Sequence, residues 1–220
     1  MVRTLGPDGA GCRGDLVNRL ESAFEESTDA AGFARRYLDY LTEIIAAIDT
    51  AAIAAFAKEL LDARDRDARI FFIGNGGSAS TASHFANDVA IGSKTWERPF
   101  RAISLADNAA VMTAIANDDG YAEIFTQQLR ALMSPGDVVV AISVSGNSPN
   151  VVAAVEYAKG HGARIVGLTG FSGGRLAELA DINVHVPTES GEYGPAEDVH
   201  MIFDHLVGTY LALHCRDPKR

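Results

Sequence analysis

Apolar residues along this chain first recur at helical spacing and then condense into short uninterrupted runs. From about residue 16 to residue 63, Phe33, Tyr37, Leu41, Ile44 and Ile48 fall on one stripe, Ala is abundant and Pro is absent, which predicts helix. Asp49 and Thr50 interrupt the stripe, and either can cap a second helix over AAIAAFAKELLDARD. The pattern then changes to ARIFFIG (68–74), RAISLA (101–106), DVVVAIS (137–143), ARIVGLTG (163–170) and INVHVP (182–187). Runs of this kind suit strands buried on both faces, as in a parallel sheet. Helical stretches alternate with them: SASTASHFANDVAIG, YAEIFTQQLRALM, NSPNVVAAVEYAKGHG, GGRLAELA and finally PAEDVHMIFDHLVGTYLALHC. The expectation is an α/β fold with a five-stranded parallel sheet flanked by helices. It divides into a flexible leader over 1–15, an N-terminal helical extension over 16–66 and the α/β domain over 67–215.

Ligands of such sheets bind beyond the carboxyl ends of the strands, so the loops there carry the most information. The first strand runs into GNGGSAS. That loop has neither the GxGxxG spacing of a dinucleotide fingerprint nor the GK[ST] of a P-loop. Gly74, Gly76 and Gly77 permit a tight turn, and Ser78 opens a helix whose N-terminus presents amides to an anion. A plain turn with a capping serine accounts for it equally well. The third strand runs into ISVSGNSPN, with Ser143, Ser145 and Ser148 at one strand–helix junction. Three hydroxyls and a helix N-terminus supply the donors a phosphate monoester needs without Lys or Arg. Capping by one serine is the simpler reading, and the density of hydroxyls favours phosphate.

Composition narrows the functional class. The 220 residues carry 29 acidic and 19 basic groups, a formal charge of −10. That disfavours nucleic-acid binding, which rests on neutralising phosphates. Cys12 and Cys215 lie near opposite ends and form no metal-binding motif, so a reducing compartment, the cytoplasm, fits. No apolar run is long enough to span a membrane. The leader, MVRTLGPDGAGCRGD, lacks the apolar segment of a secretory signal.

Two further sets of groups can act as acids, bases or metal ligands. His84 and Asp88, spaced i,i+4, share a helix face. Glu197, His200 and His205 lie on or just before the last helix. Histidine and carboxylate together can hold a divalent ion such as zinc or serve as a general acid/base pair. Taken singly, each histidine reads more simply as a hydrogen-bonded structural residue, and His161 and His185 are assigned that role. Spacing alone does not bring the two helices together.

The segments FFIGNGGSASTASHFANDVA, AIANDDGYAEIF, DVVVAISVSGNSPNVVAAVEYAKGHG, IVGLTGFSGGRLAELADINVHVP and EDVHMIFDH resemble, in order, the phosphoheptose isomerase family of SIS domains. The resemblance implies a flavodoxin-like fold, a homotetramer and conversion of sedoheptulose 7-phosphate to a heptose 7-phosphate. It implies substrate contacts at Asn75, Gly76, Gly77 and Ser78, at Asn117 and Asp118, and at Glu197. It implies a phosphate loop of Ser143, Val144, Ser145 and Ser148, with Val144 in place of the usual threonine. His84, Asp88, Glu197 and His205 match the family's metal ligands, with Zn2+ as the implied ion. Asp88 and His205 match its catalytic acid/base pair. Three departures stand out: Asp88 replaces a glutamate, Glu197 replaces a glutamine, and an arginine common after the first ligand helix has no counterpart near Gly92 and Ser93. A non-catalytic relative that binds the bacterial replication initiator, and a sugar-phosphate sensor, are the rival readings. His205 together with His84 and Asp88 favours the enzyme.

Overall fold

A computed structural model describes residues 18–217; the expected leader over 1–15 lies outside the described residues. Strands β1 (Arg69–Gly74), β2 (Arg101–Ser104), β3 (Val138–Ser143), β4 (Arg164–Thr169) and β5 (Ile182–His185) form one sheet in the order β2-β1-β3-β4-β5. Every pairing is parallel. Each strand falls within the apolar run that predicted it. The reason is burial on both faces: β1, β3 and β4 have hardly an exposed position. Alternate residues serve opposite layers. Ile70, Phe72, Val140 and Ile142 pack with Phe56, Phe85, Phe203 and Val207 on one side, while Phe71, Ile73, Val139 and Ala141 pack with Phe125, Leu129, Val151 and Leu176 on the other.

The helices are α1 (Arg19–Glu25), α2 (Ala30–Ala46), α3 (Thr50–Asp65), α4 (Gly77–Asn87), α5 (Ala109–Asp118), α6 (Thr126–Leu132), α7 (Pro149–Gly160), α8 (Gly174–Leu179) and α9 (Tyr193–Arg216). Asp49 caps α3, as expected, by accepting from Ala51 N at 2.8 Å. The stretch before it is two helices rather than one. Asp29 accepts from Gly32 N at 2.8 Å and starts α2 afresh, because an N-cap carboxylate satisfies amides that a continuing helix would bond to carbonyls. Helix α5, AAVMTAIAND, was not anticipated. None of its residues is buried, so it leaves no strong apolar stripe to read.

The helical extension is locked to the start of α9. Glu192, fully buried, accepts from Tyr40 OH at 2.5 Å, from Leu20 N at 3.3 Å and from Glu189 N at 3.0 Å. Tyr37 OH donates to Asp198 at 2.6 Å. Burial together with the neighbouring carboxylates pushes both tyrosine hydroxyls upward. These bonds set where the long last helix begins, and hence where its acid and imidazole groups lie. Tyr40→Phe is expected to lower the unfolding free energy by about 2 kcal/mol, the worth of a hydrogen bond to a buried carboxylate. Urea denaturation measures it, and an unchanged midpoint would show that Glu192 does not hold the extension.

Candidate active site at the switch between β1 and β3

The strand order reverses direction between β1 and β3, the place where a crevice opens in a doubly wound sheet. Gly74 is paired with Ile142 across it, so the loops that follow the two strands leave side by side. They enclose a cleft of about 140 Å³ bordered by Asn75, Ser78, Ser143, Val144, Ser145 and Ser148, with Tyr193 and Glu197 from α9 on its far wall. Helices α4 and α7 both begin here, and neither has a side-chain cap. Ser148 is the residue at the α7 cap position, yet its hydroxyl lies 3.3 Å from Ser143 Oγ instead of bonding to the helix. Ser145 Oγ accepts from Asn147 N at 3.3 Å, so one serine serves its own turn, while the hydroxyls of Ser143 and Ser148 and two uncapped helix N-termini remain for an anion.

Backbone geometry holds these groups in place. Gly146 has φ +64°, and a Cβ there would lie 1.9 Å from the Gly173 carbonyl oxygen. Only glycine permits that contact. Asn147 accepts from Arg175 N at 2.9 Å and donates to Ser145 O at 3.1 Å, which pins the loop to α8. The Val144 side chain is buried against Gly170, leaving its backbone for the cleft. Asn75 trades two 2.8 Å hydrogen bonds with Asn150 and accepts from Tyr121 OH at 2.9 Å. Asn150, Tyr121 and Tyr193 were not singled out in the sequence. Asn150 and Tyr121 act by shaping the first loop, a contact no local spacing reveals. Asn117 and Asp118, hydrogen-bonded to each other at 2.8 Å, are exposed at the end of α5 and do not border the cleft.

Further along α4 is a second set of groups. His84, Asp88, Asp204 and His205 have candidate ligand atoms all within 4.8 Å of one another. His84 Nε2 is 3.7 Å from Asp88 Oδ1, and His84 Nδ1 is 3.6 Å from Asp204 Oδ2. The His84 and His205 rings meet edge to face at 5.1 Å. The winding changes from α to π at Asp88, a bulge type frequent at functional sites. Helix α9 packs against it at Gly208, where a Cβ would lie at ordinary contact distance, 3.4 Å, from Asp88 Cβ. Asp204 was not among the expected residues. Glu197, expected with this group, instead faces Gly77 so closely that a Cβ at Gly77 would come within 2.3 Å of its carboxylate. Ion-pairing histidines and carboxylates of this kind suit a divalent metal, and the residues fit one.

Charge is unevenly compensated in the second group. Burial, and then the Asp88 charge, push the Asp204 carboxyl up to about 7 against the opposing pull of His205. Burial and Asp198 also raise Glu197. His200, fully buried, has Nε2 3.3 Å from the Thr169 carbonyl while Nδ1 lacks a partner. His185 bonds with Thr169 Oγ1 at 3.0 Å, and His161 stacks on Tyr157; both have structural contacts.

Residues 34–170 match the SIS domain family. The chain belongs to that family. Among curated proteins it is 36% identical over 202 residues to a phosphoheptose isomerase of Aromatoleum aromaticum, covering 91% of this chain and 92% of that protein. Among solved structures it resembles a phosphoheptose isomerase from Neisseria gonorrhoeae, at 32% identity and TM-score 0.69 over 83% of this chain and 95% of that one. A phosphoheptose isomerase from Francisella tularensis superposes with TM-score 0.75 at 28% identity, over 83% and 96% of the two chains. The flavodoxin-like sheet and the helical extension expected of a SIS domain are both present.

Within this SIS domain His200 gives a pH signature. Burial lowers its pKa to about 4, below the ordinary value near 6.5 that it regains on unfolding. Between those values the unfolded chain binds more protons, so stability falls as pH drops through that window. Between pH 7 and pH 5 the wild-type chain should lose on the order of 2 kcal/mol more than a His200→Gln variant. Parallel urea titrations at the two pH values measure the difference, and equal losses would refute a neutral buried imidazole.

Proposed function

We infer that this protein is a ketose–aldose isomerase that interconverts sedoheptulose 7-phosphate and a heptose 7-phosphate. The observation that carries the reading is the pairing of an anion cleft with an acid/base group on one helix. Ser78 and His84 are six residues apart on α4, about 9 Å by helix rise. A sugar chain anchored by its phosphate in the serine cleft can extend its carbonyl end to that group. The relatives named above act, by their names, on phosphoheptoses.

The phosphate is held by the hydroxyls of Ser143 and Ser148, the Val144 and Ser145 backbone and the α4 and α7 N-termini. Asn75, Gly76 and Gly77 wall the sugar. Asn117 and Asp118 are exposed outside the cleft, and a contact from them to the sugar chain is implied by the resemblance alone. One of Asp88 and His205 takes a proton from C1 of the ketose and returns it to C2, through an enediolate. The other carries the hydroxyl proton from O1 to O2, so no atom is gained or lost. His84, Asp88 and His205, with Glu197 as the further ligand implied by resemblance, would hold Zn2+, which would supply charge stabilisation when bound. Remote binding of the phosphate contributes by fixing the reacting end.

A homotetramer is supported by the apolar face of α9. Ile202, Leu206, Tyr210 and Leu213 are exposed along it, beside a groove of about 540 Å³ with Ile53, Ala57 and Leu61 of α3. No helix among the described residues is long and apolar enough to cross a membrane, in keeping with a cytoplasmic enzyme.

Turnover of sedoheptulose 7-phosphate by purified protein, followed by NMR with and without a chelator, tests the reading. Aldose product is expected, diminished by the chelator. Sugar-phosphate binding without product would favour the sensor. Asp88→Asn and His205→Ala should each reduce turnover by about 10²–10⁴-fold, the range of general acid–base catalysis. Ser148→Ala separates phosphate binding from capping. It should weaken substrate binding by about tenfold or more, as expected for a lost charge-assisted bond, yet leave stability nearly unchanged where a lost cap would cost about 1 kcal/mol. Calorimetric binding and urea unfolding on the same variant decide between them.

A further inference from the structure

We propose that the metal set of this chain is His84, Asp88, Asp204 and His205, with Asp204 taking the place that resemblance gives to Glu197. The inference rests on the metal clause of the proposed function and changes its ligands.

Four carboxylates among the described residues are buried: Glu59, Asp137, Glu192 and Asp204. Three have their charge or lone pairs answered. Glu59 meets Arg66 at 2.8 Å and Arg164 at 3.4 Å. Asp137 accepts from Arg69 N and Ser134 N, each at 2.8 Å. Glu192 has three donors, Leu20 N and Tyr40 OH from the helical extension and Glu189 N from the loop before α9. Asp204 is equally inaccessible, and neither of its oxygens has a hydrogen-bond partner. Leaving a carboxylate buried without a hydrogen bond is costly, and coordinating a metal is one of the ways such groups are compensated. Its Oδ2 points to the side of His84, into the group formed with Asp88 and His205.

The spacing suits an ion. Ligand atoms about 2.0–2.2 Å from a tetrahedral zinc lie about 3.4 Å from each other. Asp88 Oδ1 is 3.7 Å from His84 Nε2 and Asp204 Oδ2 is 3.6 Å from His84 Nδ1; one imidazole gives a single nitrogen to an ion, and one ligand atom from each of the four residues lies within 4.8 Å of the others, so side-chain rotation brings the set to that spacing. Two imidazoles and two carboxylates are a borderline nitrogen–oxygen set whose two negative charges balance a dication, which fits Zn2+ or Co2+ better than soft metals.

Glu197 belongs to a different place. It precedes His205 by eight residues on α9, about 12 Å of helix rise. Its carboxylate packs on Gly77 and borders the serine cleft. Gly77 and Gly208 mark two separate contacts of α9 with α4, one for Glu197 and one for the metal group. Glu197 is thereby left to the sugar chain between its phosphate and its carbonyl.

The test is metal uptake by the intact apo-protein, independent of turnover. Cobalt(II) is titrated in and read by its visible absorption, by metal content and by the rise in melting temperature on binding. The wild-type chain should take up one ion and melt higher with it. Asp204→Asn should fold, melt no lower than wild type without metal, and lose cobalt affinity by more than the roughly 10–100-fold that an outer-sphere partner accounts for. Asp204→Leu gives the same reading in a variant whose buried position is apolar. Glu197→Gln should bind cobalt with the wild-type spectrum. Wild-type binding by the Asp204 variants, or loss of the ion in Glu197→Gln, overturns the inference and leaves the isomerase reading standing. Failure of the wild-type chain to take up metal overturns it together with the metal clause, while turnover remains a separate measurement.

Discussion

The close approach of α9 to α4 is the constraint on which the rest of the site depends. Helix α4 carries Ser78 at one end and His84 near the other, with Asp88 in the π turn that follows, and α9 carries Glu197, Asp204 and His205. None of these groups would meet if side chains intervened at the crossing. Gly77 removes one: a Cβ there would come within 2.3 Å of the Glu197 carboxylate, whereas a Cβ at Gly208 would sit at ordinary contact distance, 3.4 Å, from Asp88 Cβ. The same crossing is driven from within by Phe85, Phe203 and Val207, all buried in one layer beneath it. Burying three such side chains contributes several kcal/mol, roughly 1.5–3 each.

The helical extension supports this crossing from behind. Its tyrosines bond to Glu192 and Asp198 at the start of α9, so the phase of α9 about its own axis is fixed before the helix reaches α4. A helix of this length could otherwise rotate, and a rotation of one residue turns every side chain by about 100°. His205 would then leave the group. The extension thus bears on the chemistry although none of its residues borders the cleft.

Much of the architecture was legible in the sequence because parallel strands buried on both faces leave uninterrupted apolar runs. The serine loop was legible for a related reason, since hydroxyls crowded after such a run have few other uses. What was not legible depends on the third dimension. The α5 helix buries none of its residues, so its periodicity is diluted. Asp204 in MIFDH looks like any helical charge next to a histidine; only its burial without a partner sets it apart. Glu197 matched a ligand position by resemblance, but its contact with Gly77 joins residues 120 positions apart. The replacement of glutamate by Asp88 was visible, whereas the π turn that begins there was not.

Helix α4 also explains why an anion site and a cation site can coexist in so acidic a chain. Its dipole is positive at the end that meets the serine cleft and negative at the end that carries His84 and Asp88. The anion therefore needs no lysine or arginine, and no positive side chain borders the cleft to compete for the carboxylates further along. The dipole field fades within a turn, so it cannot serve both ends alone. At the first end a second uncapped helix, α7, adds its amides; at the other, two carboxylates and two imidazoles offer ligands to a cation. One sugar chain lying along α4 would thus have its phosphate on the amides and hydroxyls of the serine cleft and its carbonyl at the acid/base group. That asymmetry orients the substrate before any acid or base acts on it.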